Sequence, residues 1–337
     1  MSDRLTRLQT FIEAEGWGRA ETFALPGDAS FRRYIRLLDG TRRALLMDAP
    51  PPEDPVRFAA IARHLVGLGY SAPAILAEEP EAGLLLLEDL GDQTFTRLLD
   101  QGADPFDLYA LATDVLIDLH RCPRQQAALA DLPLYDHDRL IAEACLLPDW
   151  YMPQVLGRPT PAAVRDAYVE AWRNILPLAD SKEPTLVLRD YHVDNLMRLS
   201  DRSGLAACGL LDFQDAVIGP PAYDLMSLLE DARREVAEPL RIAMLARYRR
   251  AMPALDWDAF LVAFAVLAAT RHAKVIGIFT RLSVRDGKPR YLRHIPRVWR
   301  LLERALVHPA LASVRDWFDH QLPANLRESS QCLTVAP

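Results

Sequence analysis

The segment Leu188-Arg189-Asp190-Tyr191-His192-Val193-Asp194-Asn195 sets an aspartate five positions before an asparagine, and Asp212 follows seventeen positions later in Leu-Leu-Asp-Phe-Gln-Asp-Ala. These residue types in this order suit phosphoryl transfer. That reaction asks little covalent help of a protein: it needs an acceptor hydroxyl held in line, Mg²⁺ across the phosphates, and neutralised charge. Asp190 can take the hydroxyl proton and orient its oxygen. Asn195 offers a neutral oxygen and Asp212 an anionic one, the hard donors that Mg²⁺ prefers. A lone Asp-x4-Asn would be a surface turn; what separates this one is the strand-Asp-Phe that follows it.

Stepping out from these residues, short strands must deliver them. The pattern predicts a strand at 185–188 leading into the loop and a second at 206–211 leading into Asp212, paired as a local hairpin. Upstream, 31–38 and 44–48 read as strands about an Asp39-Gly40 turn. Phe58, Ile61, Ala62, Leu65 and Leu68 recur at helical spacing, and 74–76 and 84–87 read as further strands. From about residue 92 the pattern turns helical, with helices expected at 108–119, 223–233, 239–251 and 257–279. The expectation is an α+β chain: a small strand-rich N-terminal lobe (1–88), a hinge (89–92) and a large helical C-terminal lobe (93–337).

The chain has 337 residues, a net charge of -7, and half of its residues are hydrophobic. That balance argues against large-scale disorder and gives no global attraction for nucleic acid or an anionic membrane. The N-terminus carries charges throughout, unlike a secretory signal. The most apolar run, 259–270, is shorter than the roughly 20 residues of a membrane span and reads as a buried helix. The four cysteines show no metal-type spacing, which suits reduced thiols in the cytoplasm. A monomer that binds a nucleotide and a small molecule is the expectation.

With these motifs in hand, the chain resembles the protein-kinase-like superfamily in its aminoglycoside phosphotransferase branch. The resemblance implies ATP and Mg²⁺ as cofactors, Asp190 as catalytic base, and Asn195 and Asp212 as metal ligands. It makes Glu88 and Leu90 the hinge positions whose backbone meets adenine, and Asp224, in Gly-Pro-Pro-Ala-Tyr-Asp-Leu, a brace for the catalytic loop. Gly27-Asp28-Ala29-Ser30 resembles a phosphate-covering loop, with Gly27, Ser30, Arg32 and Arg33 as nucleotide contacts; a simple turn is the alternative. One feature departs from the family: Met47 stands where its strand lysine is expected, and Arg57 or Phe58 near the partner glutamate. An arginine in place of the lysine, or a nucleotide-binding pseudokinase, would each account for that.

More narrowly, segments 27–37, 45–51, 146–153 and 277–297 resemble the bacterial anomeric kinases of N-acetylmuramate and N-acetylglucosamine that serve cell-wall recycling. That implies phosphorylation at the anomeric hydroxyl of an amino sugar. Asp149, Trp150 and Tyr151 are candidates for the sugar pocket, by aromatic stacking and hydroxyl recognition, with Glu143 beside them. Arg271 is a candidate for a substrate carboxylate or for an internal acid. An aminoglycoside, choline or homoserine acceptor stays open at this point.

Overall fold

The computed structural model describes residues 2–27, 31–129 and 131–328. The chain divides into two compact units, Met1–Val115 with Val193–Ala216, and Leu116–His192 with Val217–Pro337.

The first unit is built on a five-stranded antiparallel sheet. Its strands are β1 (Glu21–Ala24), β2 (Arg33–Asp39), β3 (Arg42–Asp48), β4 (Ile75–Glu79) and β5 (Leu84–Glu88), in the order β1-β2-β3-β5-β4. Gly40, with φ 61°, closes the β2–β3 turn in a left-handed conformation that glycine adopts without cost. Alternation then sorts the side chains. Leu37, Ala44, Leu46, Leu84 and Leu86 share a core with Leu8, Phe11 and Ile12 of the helix α1 (Ser2–Ala14). Met47 faces the other way, is fully buried, and pairs across the sheet with Tyr34 and Leu85.

The helix α2 (Pro55–Gly67) begins where Asp54 accepts a bond from the Arg57 amide at 2.9 Å, with Pro55 in the first turn where its missing N–H costs nothing. It buries Phe58, Ile61, Ala62 and Leu65, the face that periodicity indicates.

Four short strands follow residue 184: β6 (Thr185–Val187), β7 (Leu196–Arg198), β8 (Cys208–Leu210) and β9 (Val217–Gly219). Here the pairing differs from expectation. The strand before the Asp190 loop does not pair with the strand before Asp212; β7 pairs with β8 and β6 with β9. The β7–β8 hairpin is bonded into the first unit, through Leu210 N–H to the Ser71 carbonyl and Arg198 N–H to the Gln93 carbonyl, both at 2.8 Å. The unit boundaries therefore fall at 115/116 and on either side of 193–216, and not at the expected hinge.

The second unit is helical. At its centre runs Trp257–Val284, 28 residues long, with 78% of its most apolar window buried. By length and composition it could cross a membrane, and it ends at Val284 where the expected helix ends at 279. Its polar residues are paired within the protein: His272 lies 2.8 Å from Glu230 and Lys274 3.0 Å from Glu143. Gly277 is fixed by packing, since a Cβ there would stand 2.2 Å from the Leu146 carbonyl carbon. This close approach seats the π-helical turn Leu147–Tyr151 against the long helix. The helix expected over 223–233 runs Ala222–Leu229.

Candidate active site

In the first unit the chemistry centres on Asp212. Its φ is 59°, a conformation that costs a non-glycine residue free energy. Two interactions on either side position the segment. The Leu211 amide donates to the Asn195 carbonyl at 2.9 Å, and the Phe213 ring packs on Phe58 of α2 with centroids 5.0 Å apart. Arg57 of the same helix donates to the Ala216 carbonyl at 2.7 Å. The two residues at the expected glutamate position thus brace the Asp212 segment.

The ion pair appears elsewhere. Arg32, immediately before β2, has a side chain only 8% exposed, and its guanidinium spans three acceptors. It reaches Asp212 Oδ1 at 2.6 Å, Gln214 Oε1 at 2.7 Å and Glu53 Oε2 at 3.3 Å. Burial alone would weaken its charge, but Tyr34, Asp212 and Glu53 outweigh it and hold its pKa above the ordinary arginine value. Arg33 points away: it is 62% exposed and pairs with Asp48 at 2.6 Å. Of the two arginines expected as nucleotide contacts, Arg32 is thus the one beside Asp212. Glu53 escaped sequence reasoning, because it precedes α2 and lies outside the helical register that was searched for it.

Asn195 Nδ2 stands 3.4 Å from Asp212 Oδ2. A carboxylate beside an amide is a fitting donor set for Mg²⁺, which takes one or two protein oxygens and completes its shell with phosphates and water. Among the described residues no cluster of three or more His, Cys, Asp or Glu forms an all-protein metal cage. Asp194, between the motif residues, accepts from the Thr96 hydroxyl and is a strut for the loop.

Around the expected hinge, Arg36 holds Asp89 at 2.7 Å and Asp92 at 2.9 Å and donates to the Gly91 carbonyl at 3.2 Å. The Glu88 amide donates to the Ala74 carbonyl at 2.8 Å and its carboxylate pairs with Arg202, while Leu90 packs with Met197 and Leu199. A cavity of about 400 Å³ opens beside it, lined by Leu90, Gly91, Arg43, Arg97 and Arg198 among others. Gly27 is exposed; Ser30 lies outside the described residues.

In the second unit the chemistry centres on Asp190. The residue before it, Arg189, is the other non-glycine residue with positive φ among the described residues, at 71°. Buried Asp224 explains how that conformation is held: its two oxygens accept the Leu188 and Arg189 amides at 2.6 and 2.9 Å. The Arg189 carbonyl accepts from Arg271 at 3.1 Å and from the Ser227 hydroxyl at 3.3 Å. The bracing role expected of Asp224 is thus visible atom by atom. Burial raises its carboxyl pKa to about 7 against the lowering effect of those two amides.

Asp190 keeps a side chain 34% exposed, 3.3 Å from Arg271. Burial acts to raise its pKa, but Arg271, Lys274 and Arg189, with His192, override it and hold the carboxyl well below the usual range. It is therefore ionised at neutral pH.

Arg271 meets the internal acid of the two alternatives, and also donates to the Tyr223 hydroxyl at 3.0 Å. From there a polar chain runs inward. The Tyr223 hydroxyl is 3.0 Å from that of Tyr135, which donates to Glu143 at 2.5 Å. Glu143 also pairs with Arg189 and Lys274. Burial raises its pKa, and the charges of Lys274 and Arg189 bring it below the ordinary value.

The acceptor residues fare differently from the motif residues. Glu143 has both oxygens engaged in this network and supports the loop through Arg189. Tyr151 is fully buried, donates to the Leu326 carbonyl at 2.7 Å and packs on Trp299 at 5.5 Å. Asp149 forms a two-pronged pair with Arg165 at 2.7 and 3.1 Å. Tyr151 is too buried to stack on a sugar, while Glu143 and Asp149 are engaged in ion pairs, Asp149 with a side chain 38% exposed. Trp150, half-buried on the π-helical turn, is the residue of that group left available for stacking.

Residues 22–260 match the model of the phosphotransferase enzyme family. An N-acetylmuramate/N-acetylglucosamine kinase from Caulobacter vibrioides is 37% identical, covering 97% of this chain and 99% of that protein. One of the same name from Pseudomonas aeruginosa is 40% identical, covering 91% of each. Among solved structures, a choline/ethanolamine kinase family protein from Mesorhizobium loti superposes with a TM-score of 0.63 at 15% identity, over 93% of this chain and 99% of that one. The GDP complex of wild-type aminoglycoside 2'-phosphotransferase-IIIa does so with a TM-score of 0.58 at 17% identity, over 90% and 98%. At such identities these two establish the protein-kinase-like fold. The family model and the full-length relatives go further, and on them this chain belongs to the phosphotransferase enzyme family.

Proposed function

We propose that this protein uses Mg-ATP to phosphorylate the anomeric hydroxyl of N-acetylmuramate and N-acetylglucosamine, as a step in cell-wall sugar recycling in the cytoplasm. The observation that carries the proposal is the intact Asp190 loop, braced by Asp224 and Arg271, in a chain that matches kinases of that name from end to end.

In this reading the C1 oxygen forms the new bond to the γ-phosphorus, the bond to the bridging oxygen breaks, and ADP leaves with the electron pair. Ionised Asp190 accepts a hydrogen bond from the hydroxyl and aims its lone pair. Because Asp190 is a weak base, the proton follows late, once bonding to phosphorus has drained the oxygen's charge. An anomeric hydroxyl suits such a base, being more acidic than other sugar hydroxyls through the ring oxygen. Asp212 and Asn195 would hold Mg²⁺, which supplies charge neutralisation along the phosphates. Arg32, 2.6 Å from Asp212, would supply the cation that Met47 does not, which supports a kinase over a pseudokinase. Leu90 and the Glu88 backbone would take the adenine, and Gly27 and Ser30 would be contacts for the phosphates.

The test is the product. Mg-ATP is incubated with each sugar and phosphorus-coupled proton spectra are recorded. Coupling to the anomeric proton is expected; coupling to the C6 protons, or consumption of choline or an aminoglycoside while both sugars stand untouched, overturns the proposal.

A further inference from the structure

N-acetylmuramate and N-acetylglucosamine differ by a lactyl ether on O3, which gives the former a carboxylate. Resting on the function proposed above, we infer that Lys274 is the residue that reads this carboxylate, and so sets the preference between the two sugars.

Arg271, the sequence candidate, is committed. Its two terminal nitrogens bond the Arg189 carbonyl, the Tyr223 hydroxyl and Asp190, and it holds the loop. Lys274 follows it by three residues on the same helix, so the two share a face, about 4.5 Å apart along the axis. Its charge acts on Asp190, and its side chain is 9% exposed, so its head group is largely dehydrated. An ammonium has three donors, and one ion pair, to Glu143 at 3.0 Å, is its charge contact among the described residues.

Charge balance points the same way. Glu143 is already matched by Arg189 and by the Tyr135 hydroxyl, and Asp190 by Arg271. Lys274 is the second cation on Glu143, so its departure would leave neither carboxylate without a partner, and its four-carbon stem is flexible. O3 is carried two ring carbons from the reacting C1 and the lactyl carboxyl carbon lies two bonds beyond it, so the carboxylate stands away from the hydroxyl that Asp190 would hold, on a cation other than Arg271. A neutral sugar would leave Lys274 on Glu143. An acidic one would draw its free donors into a charge-assisted hydrogen bond.

Steady-state kinetics of K274M, K274R and the parent enzyme on both sugars test the inference. Loss of charge near Asp190 and Glu143 will slow both substrates, and that shared effect cancels in the ratio of kcat/KM values. The N-acetylmuramate to N-acetylglucosamine ratio is expected to fall a further ~10–100-fold in K274M, through KM, and to return toward the parent value in K274R. An equal fall for both sugars would make Lys274 a prop for Glu143 alone and overturn the inference. The methyl ester of N-acetylmuramate, given to the parent enzyme, tests the carboxylate without any variant. An ester used as well as the free acid also overturns it. A parent enzyme inactive on both sugars would instead remove the proposed function.

Discussion

Replacing Arg32 with alanine takes one cation from three acceptors at once. In the free enzyme it leaves Asp212 and Glu53 facing a shared space without their counter-charge. Breaking a buried pair costs about 3–5 kcal/mol. Here Glu53 is 17% and Asp212 38% exposed, so solvent screens part of that loss, and ~1–3 kcal/mol is the expected range. At roughly 2 °C per kcal/mol in a chain of this size, Tm should fall by a few degrees. Mg-ATP should restore more of the loss than it adds to the parent, because a metal at Asp212 supplies the missing charge. Turnover should suffer more than stability. A preorganised donor aimed at transferring phosphate contributes about 10²–10³ in rate, so kcat should drop by that factor. Arg33→Ala is the control. Its side chain is 62% exposed and its buried partner Asp48 keeps Arg4 as a second cation, so the loss should be about 0–1 kcal/mol, and turnover should change by less than about twofold. Thermal melts with and without Mg-ATP, and coupled ATPase or sugar-kinase assays, measure both effects. If Arg32→Ala turns over at the parent rate, or Arg33→Ala proves the more damaging, the assignment of Arg32 as the lysine's replacement is wrong.

Three further outcomes are expected. Asp190→Asn keeps the side chain's shape but cannot take a proton; kcat should fall about 10²–10⁴-fold while nucleotide affinity, read by calorimetry, holds. Asp212→Ala should weaken Mg-nucleotide binding more than Asn195→Ala, since an anionic ligand is lost in place of a neutral one, and a titration of activity against Mg²⁺ will rank them. His120, whose Nδ1 lies 2.7 Å from the Tyr248 hydroxyl, is pushed by burial down to about 3. Its ordinary value is about 6.5, so the folded state binds fewer protons between those limits. Stability from this group is complete above pH 6.5 and is lost as pH falls toward 3, by up to a few kcal/mol; urea melts of the parent and His120→Gln across that range should converge at acid pH.

Why some of this was legible in the sequence is a matter of distance along the chain. The Asp190 loop, Asn195 and Asp212 announce themselves because their chemistry is packed into adjacent short segments. Asp224 shares that advantage through its own motif. The ion pair of Arg32 was only half visible: its partners lie 21 and 180 positions away, and no local spacing links them. The sugar-pocket residues misled for another reason. Asp149, Trp150 and Tyr151 have the right chemistry, but which of them is exposed depends on the π-helical turn and on Arg165, Trp299 and Leu326, all remote in sequence. Strands β1, β7 and β9, of three or four residues, are too short to show a period, which is why the pairing of β6 was misjudged.

Among the described residues, the two non-glycine residues with positive φ are Arg189 and Asp212, one at each candidate centre. A conformation of that kind costs of order 1–3 kcal/mol and persists only where the surroundings over-determine it. Both positions meet that condition, by different means. At Arg189 every handle is taken: the amide by Asp224, the carbonyl by Arg271 and Ser227, and the guanidinium by Glu143. All of these are protein groups, so the Asp190 carboxylate is aimed before any substrate arrives. At Asp212 the backbone is fixed by its neighbours, but the carboxylate is held by Arg32 and Gln214, side chains that a metal-bound phosphate would compete for. On the proposed function, the base would be rigid and the metal ligand would exchange one cation for another.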